Sequence, residues 1–405
     1  MKTKFIVMAA MAAMFSMGFT ACSNNDEELA QGADRGDAIG FKLDADNSHV
    51  TRGLATNSGA IQFTDFQTWG YDATVGGLYM GASATAGKTV SLVSSDWTYS
   101  PTQFWPVNPL AFVAIAPAAS AEITGNSVAQ DGTSKVVTIT SGITLDTDVE
   151  DQDDIMFAAS RAADVTTPAP ALGTYGPVAR TDHNGDVPLN FQHALSQIVF
   201  KGKLPTDPTV TEVEIAEISL GNIPSQGSLT FTSAGAFYGG NTTITPTAST
   251  EAVFSLDAGD LQDANWGVGG ALDTYSNATA GTAFDLTVSN STTKPSAKHG
   301  NAWFMLPQAL TAWVPGAGET KAGALNAAPA TGAYLKVRAT LRKDGVTILN
   351  NTDAVYMPID QTWERGKKYI YTIEFNGTNA LYPITFSVTA EDWVDASPQP
   401  GDLSF

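Results

Sequence analysis

The chain has 405 residues, with 21 Lys and Arg against 41 Asp and Glu, and a formal charge of −20. A negative field of that size repels nucleic acid and anionic lipid surfaces and argues against either as the main partner. Only 15% of the residues are charged while 43% are hydrophobic, a balance that suits short strands joined by Gly, Asn, Asp and Ser turns.

Lys2 and Lys4 precede an uncharged apolar run from Phe5 to Phe19, which is followed by Thr20, Ala21 and Cys22. The run is short for a membrane-spanning helix, which needs roughly 20 residues. It reads as a lipoprotein signal peptide over residues 1–21, with Cys22 lipidated and left as the new N-terminus. The chain has 1 Cys, so an internal disulfide or a cysteine metal site is ruled out, and stability must come from burial and sheet hydrogen bonds. Residues 22–37 are polar and acidic and read as a flexible tether like the export tag of surface lipoproteins. About 380 residues follow the leader, enough for two or three domains.

The first strand is expected at Ala38 to Leu43 (AIGFKL), followed by a polar loop that contains Arg52 and Gly53. FTDFQTWGYDA and GGLYMGASA read as strands, and KTVSLVSSDWTYSPTQFWP reads as a hairpin with Asp96 near its turn. PLAFVAIAP is apolar at consecutive positions and bounded by prolines, which predicts a central strand buried on both faces. SKVVTITSGITL alternates, and an acidic loop, DTDVEDQDD, leads into a short strand.

A Pro/Gly/Ala-rich stretch ending at Asn184-Gly185 marks the expected boundary between an N-terminal β-sandwich over 38–185 and a C-terminal one over 186–405. Beyond it, VPLNFQHALSQIVFKGKL and VTEVEIAEISLGNI read as long strands, and GSLTFT, AVFSLDAG and AWFMLPQAL as shorter ones. A hairpin turning at Lys343-Asp344-Gly345 follows, and KKYIYTIEFNG and YPITFSVTAEDW close the chain. No helical periodicity occurs outside the leader, so the fold class is all-β.

No catalytic constellation stands out. The nucleophile elbow, the zinc-protease HExxH and the phosphate-binding loop are all missing from the sequence. His193 reads as a strand residue satisfied by a local hydrogen bond. Asp148, Glu150, Asp151, Asp153 and Asp154 miss the spacing of a calcium loop and read as a solvated acidic loop. Trp105, Trp303, Trp363 and Trp393 read as packing residues, while Trp69, Trp97, Trp266 and Trp313 stay open as sugar-stacking candidates. No cofactor and no metal site is implied.

In order along the chain, the lipobox, IGFKL…TRG, FWPVNPLAFVAIAP, DDIMFA, LNFQHALSQIVFKGKL, FMLPQAL and WERGKKYIYTIEF…ITFSVTAEDW resemble the fimbrillin family of Bacteroidales, the type V pilins and their lipoprotein relatives. The resemblance covers nearly the whole mature chain. It implies two transthyretin-like Greek-key sandwiches and a structural or adhesive role without enzyme activity. The expected location is the outer-membrane surface, held there through the lipid, and later the fimbrium. The implied partners are other fimbrial subunits, with a host or bacterial surface ligand beyond them. It also implies cleavage between Arg52 and Gly53 by an Arg-specific protease, which would remove the lipidated segment and the first strand. The candidate donor strand is then Leu381 to Trp393, with Tyr382, Ile384, Phe386 and Val388 on one face at period two. The competing reading is a surface glycan-binding lipoprotein, which requires a solvent-facing aromatic cluster; a secreted hydrolase has no residues to support it.

Overall fold

The computed structural model describes residues 38–43, 63–94, 96–149, 151–161, 174–182, 186–204, 212–236, 241–257, 283–286, 303–314, 329–350, 352, 354–376 and 384–392. Contacts divide the chain into two compact units, Met1–Gly36 and Asp37–Phe405, and only the second contains described residues. Within it the fold is all-β. Among the described residues no helix is long and apolar enough to cross a membrane.

The strand Leu110–Ala116 lies inside a 7-stranded sheet, between Met156–Ala159 and Asp65–Asp72. All of its residues are buried. Leu110, Phe112, Ala114 and Ala116 join one core cluster, and Ala111, Val113 and Ile115 join the other. A strand covered on both faces has no use for polar alternation, which accounts for the continuous apolar run. The sheet continues from Asp65–Asp72 to Lys88–Val93 and Asp96–Thr98. The last two form the expected hairpin, with Val93 opposite Asp96.

One face of this sheet packs on a 4-stranded sheet ordered Thr242–Pro246, Gln226–Thr232, Val137–Thr144, Ile123–Gln130. The Phe157 and Phe231 rings meet across that core with centroids 4.6 Å apart. Two 5-stranded sheets carry most of the later chain and contribute to the same cluster. One is ordered Ala283–Asp285, Ser196–Lys203, Lys367–Phe375, Ile384–Asp392, with Trp303–Met305 also paired to Ser196–Lys203; the other is ordered Glu251–Asp257, Glu212–Pro224, Tyr334–Lys343, Val346–Leu349, with Ala354–Pro358 also paired to Tyr334–Lys343. In the latter, Lys343 pairs with Val346 around Asp344 (φ 49) and Gly345 (φ 80), a left-handed pair suited to a two-residue hairpin turn.

Strand pairing crosses the expected boundary near residue 185. Asp186–Leu189 runs parallel to Gly40–Leu43, Gln192–His193 pairs with Met156–Ala159, and Gln226–Thr232 pairs with Val137–Thr144. The stretch expected as one long strand, VPLNFQHALSQIVFKGKL, is three strands in three different sheets. Ile123–Gln130 was not expected from the sequence, because only Val128 of its residues is buried and Gly125 (φ 77) sits at a bulge.

Candidate subunit interface

Among the described residues, the second core cluster on the other face of the 7-stranded sheet is completed by a short strand pair together with Phe63, Trp105, Val178 and Phe191. Gly40–Leu43 and Asp186–Leu189 form a two-stranded parallel pair, held by four register positions from Gly40↔Asp186 to Leu43↔Leu189, with bridges from Ala38 to Phe104 and from Leu189 to Ser160. Ile39 and Phe41 are buried, and both belong to the second core cluster together with Phe66, Phe112, Val187 and Leu189. The alternation in AIGFKL is thus used to aim two side chains inward.

Phe41 is the anchor. Its ring stands edge-on to Phe66 and Phe112, with both centroids at 5.7 Å, and against Tyr99 at 5.8 Å. Edge-to-face contacts of this kind add to the area that the ring buries. The backbone of the strand is clasped on the side away from Asp186–Leu189. The Ile39 N–H donates to the Gln103 carbonyl at 2.9 Å, and the Tyr99 hydroxyl donates to the Ile39 carbonyl at 2.8 Å. Burial pushes the Tyr99 phenol up, so the donor proton is kept throughout the neutral range. Gly40 passes directly beside Asp186, and a Cβ at that position would collide with the Asp186 carboxylate.

The C-terminal strand is placed differently. Ile384–Asp392 is the outer strand of its sheet and holds nine antiparallel pairs with Lys367–Phe375. Ile384 is buried, Phe386 and Val388 are half-buried against the core, and Ser387 and Thr389 are exposed. Phe386 lies 5.7 Å from the Tyr371 ring. The expected donor face is therefore engaged by its own sheet. Tyr382 lies outside the described residues, as do Cys22, Arg52 and Gly53.

Other residues singled out by the sequence fall in the interior. The His193 Nδ1 is 2.7 Å from Asp154 Oδ2, and both side chains are buried. The expected hydrogen bond is therefore not local: the partner lies 39 residues back, in the acidic loop, which is not solvated throughout. Burial pushes Asp154 up, with His193 beside it pulling the other way. Glu122, which the sequence did not single out, is also buried and accepts the backbone N–H of Asp146 (2.6 Å) and of Asp153 (2.8 Å). Gln152 ties the same loop to Phe304, whose N–H donates to Gln152 Oε1 at 2.7 Å. Among the described residues no group of three or more His, Cys, Asp or Glu could hold a metal ion.

Trp69, Trp303 and Trp363 are fully buried, and Trp97 packs on Phe66 with centroids 5.1 Å apart. Trp69 donates its ring N–H to the Ser83 carbonyl. Trp266 and Trp393 lie outside the described residues.

The architecture is that of an all-β protein whose first strand is a small, side-chain-anchored cover on a larger sheet. A fimbrillin-like family model matches residues 62–393, and the chain belongs to that family. Membership makes it a structural protein and not an enzyme, and implies assembly with other subunits into fimbriae at the cell surface. A fimbrial protein from Bacteroides vulgatus is similar in structure at 15% identity and a TM-score of 0.48, covering 88% of this chain and 99% of that one. A proposed cell adhesion protein from Bacteroides uniformis has 12% identity and a TM-score of 0.40, with 89% and 100% covered. One from Bacteroides ovatus has 14% identity and a TM-score of 0.40, with 89% and 98% covered. No functionally curated relative matches the sequence.

Proposed function

We propose that this chain is a fimbrial subunit exported as an outer-membrane lipoprotein on Cys22, with residues 22–37 as its tether, and activated for assembly by cleavage between Arg52 and Gly53. The observation that carries the reading is the position of Gly40–Leu43. That strand lies between Cys22 and Arg52 in sequence, so one cut separates both lipid and cover from the body. With only four parallel register positions it is the least paired of the strands that bury a large aromatic side chain in the second core cluster. Its departure opens an apolar groove floored by Phe66 and Phe112 and flanked by Val187 and Leu189. An open groove beside unpaired backbone accepts a strand from another subunit, and head-to-tail repetition of that contact gives a filament. The donor belongs to the C-terminal region of the next subunit; Leu381 to Trp393, the segment expected from the sequence, would have to leave its pairing with Lys367–Phe375 to serve.

The test is treatment of the intact lipoprotein with an Arg-specific protease, followed by N-terminal sequencing and sizing. A new terminus at Gly53, release from the membrane fraction and the appearance of oligomers are expected. A folded protein whose Arg52–Gly53 bond resists the protease would overturn the scheme. Release of the uncut chain by Cys22→Ala is the separate check on the lipid.

A further inference from the structure

We propose that the loop end formed by residues 72–79 and 103–109 is a glycan site, where Tyr79 and Phe104 stack on the apolar face of a neutral hexopyranose and Gln103 accepts one of its hydroxyls. The proposal goes beyond the assembly reading and does not depend on it, because the site is present in the uncut chain.

Among the described residues, Tyr79 and Phe104 are the aromatic side chains left exposed, at 36% and 48%. They come from separate segments and are tied to each other. The Tyr79 hydroxyl donates to the Phe104 carbonyl at 2.5 Å, and Gln103 Nε2 donates to the Tyr79 carbonyl at 3.3 Å. Leu78 and Val107, close by in the same two segments, are exposed as well, as is Val75. Exposed apolar side chains gathered in two joined loops mark a contact surface, whereas scattered ones do not.

The loops are held in shape from below. Asp72 Oδ1 accepts the N–H groups of Thr74 and Val75 at 2.7 and 2.8 Å, and Asp72 Oδ2 accepts Asn108 Nδ2 at 2.9 Å. The Ala73 N–H donates to the Pro109 carbonyl, and the Gly77 N–H to Gln130 Oε1, both at 2.9 Å. A site fixed in advance loses little freedom when a ligand arrives.

Three features select the ligand. An exposed ring offers a flat apolar face, which suits the C–H face of a pyranose. The polar groups ask for donors. Gln103 Oε1 is buried and meets no hydrogen-bond partner, a lone acceptor that a sugar hydroxyl would satisfy. Phe104 beside it is exposed enough to change rotamer and admit that hydroxyl. Burial pushes the Tyr79 phenol up, so it stays protonated, gives its proton to the Phe104 carbonyl and can only accept from the ligand. Charge supplies the third feature. A chain at −20 repels carboxylated and sulfated sugars, which leaves neutral ones. The same charge repels a second copy, and this handful of side chains is far below the roughly 20–30 residues a side of a stable protein interface.

The experiment uses the uncut chain from residue 22 onward, with Cys22→Ala, on an immobilised panel of neutral hexose-terminated glycans and their sialylated or sulfated counterparts. Saturation-transfer NMR with the methyl glycoside of the best terminal sugar follows. Retention on neutral glycans is expected, with transfer to the C–H protons of the stacked face. Phe104→Ala should weaken binding by more than about tenfold, the scale of a central aromatic contact, and should melt like the parent. Gln103→Leu should weaken it as well. Failure of a cooperatively melting chain to retain any neutral glycan would overturn the proposal, as would a preference for the sialylated or sulfated forms. Unchanged binding by both Phe104→Ala and Tyr79→Ala would place the sugar elsewhere and equally overturn it. Unchanged binding by Gln103→Leu would overturn the role of the lone acceptor. If the parent is dimeric on sizing and Phe104→Ala is monomeric, the patch serves a second copy and the glycan assignment falls.

Discussion

The two ends of the described chain are strands of opposite construction. Gly40–Leu43 has four parallel pairs and is anchored by what its side chains bury, above all Phe41. Ile384–Asp392 has nine antiparallel pairs, with Phe386 and Val388 only half-buried. The first is attached by a ring in a cage and the second by a ladder of backbone bonds. A ladder must be opened rung by rung, whereas a short strand held by one or two anchors can leave once its covalent link is cut and return or be replaced. In the proposed scheme the exchangeable contact thus lies where few hydrogen bonds have to be broken.

The largest effect should come from removing the anchor. Phe41→Ala deletes a buried ring and should cost roughly 3–5 kcal/mol of the attachment of the first strand. Hydrogen exchange should then show residues 39–43 opening well below the global unfolding free energy, with Lys367–Phe375 still fully protected. If protection falls equally everywhere, the first strand is an integral part of the body and the contrast with the last strand is lost.

A second, comparable effect distinguishes the body from its cover through pH. Glu122 sits in the body, and burial raises its pKa from 4.5 to about 8, with the nearby Asp153 and Asp146 charges adding to the rise. The folded state therefore holds this proton more tightly than the unfolded state. Its contribution to stability is fully present below about pH 4.5 and is lost as pH climbs through 8. On the order of a few kcal/mol is at stake, at 1.36 kcal/mol per unit. Glu122→Gln should flatten the pH dependence of unfolding between those limits, and parallel curves for the two proteins would contradict the assignment. Release of the first strand should not follow the same curve, since no titrating group with that behaviour lines Ile39 or Phe41 among the described contacts.

How much of this was legible beforehand depended on whether a local pattern had one cause. Val137–Thr144 and Lys367–Phe375 bury alternate residues, and their sequences show that period directly. Leu110–Ala116 was legible because an uninterrupted apolar run between prolines suits a strand covered twice. The inward aim of Phe41 was legible too. Its partner was not, because Asp186–Leu189 is far away in sequence and nothing local in AIGFKL specifies a parallel neighbour. The same limit applied to VPLNFQHALSQIVFKGKL, whose pieces are assigned to sheets by distant strands. At the last strand, the face carrying Ile384, Phe386 and Val388 could be read from its period, but period two does not say whether that face serves its own sheet or another's. Glu122 gave no signal at all, since a lone glutamate in ASAEITG looks like any surface acid.

A milder prediction concerns the ladder. Ile384→Val removes one methylene from the buried start of the last strand and should lower global stability by roughly 0.5–1.5 kcal/mol. The strand should keep its protection, because the nine backbone pairs do not depend on that group. Selective loss of protection over residues 384–392, with the rest unchanged, would show that this strand too hangs on a side-chain anchor.

The smallest effect belongs to the outer rim of the same strand. Lys368 and Glu391 face each other across the ladder with N and O 2.5 Å apart, and Glu391 is half exposed. Water and salt screen such a pair, and holding two long side chains in one geometry costs entropy, so its net value is about 0.2–1 kcal/mol. Lys368→Met keeps the aliphatic stem that covers the sheet while removing the charge. The melting temperature of that variant should fall slightly at low salt and match the parent at high salt, where surface charges no longer sense each other. A loss of several kcal/mol that persists at high salt would mean the last strand is held by charge as much as by its backbone. Its resistance to exchange would then vary with ionic strength, unlike that of the first strand, which Phe41 secures without any charge.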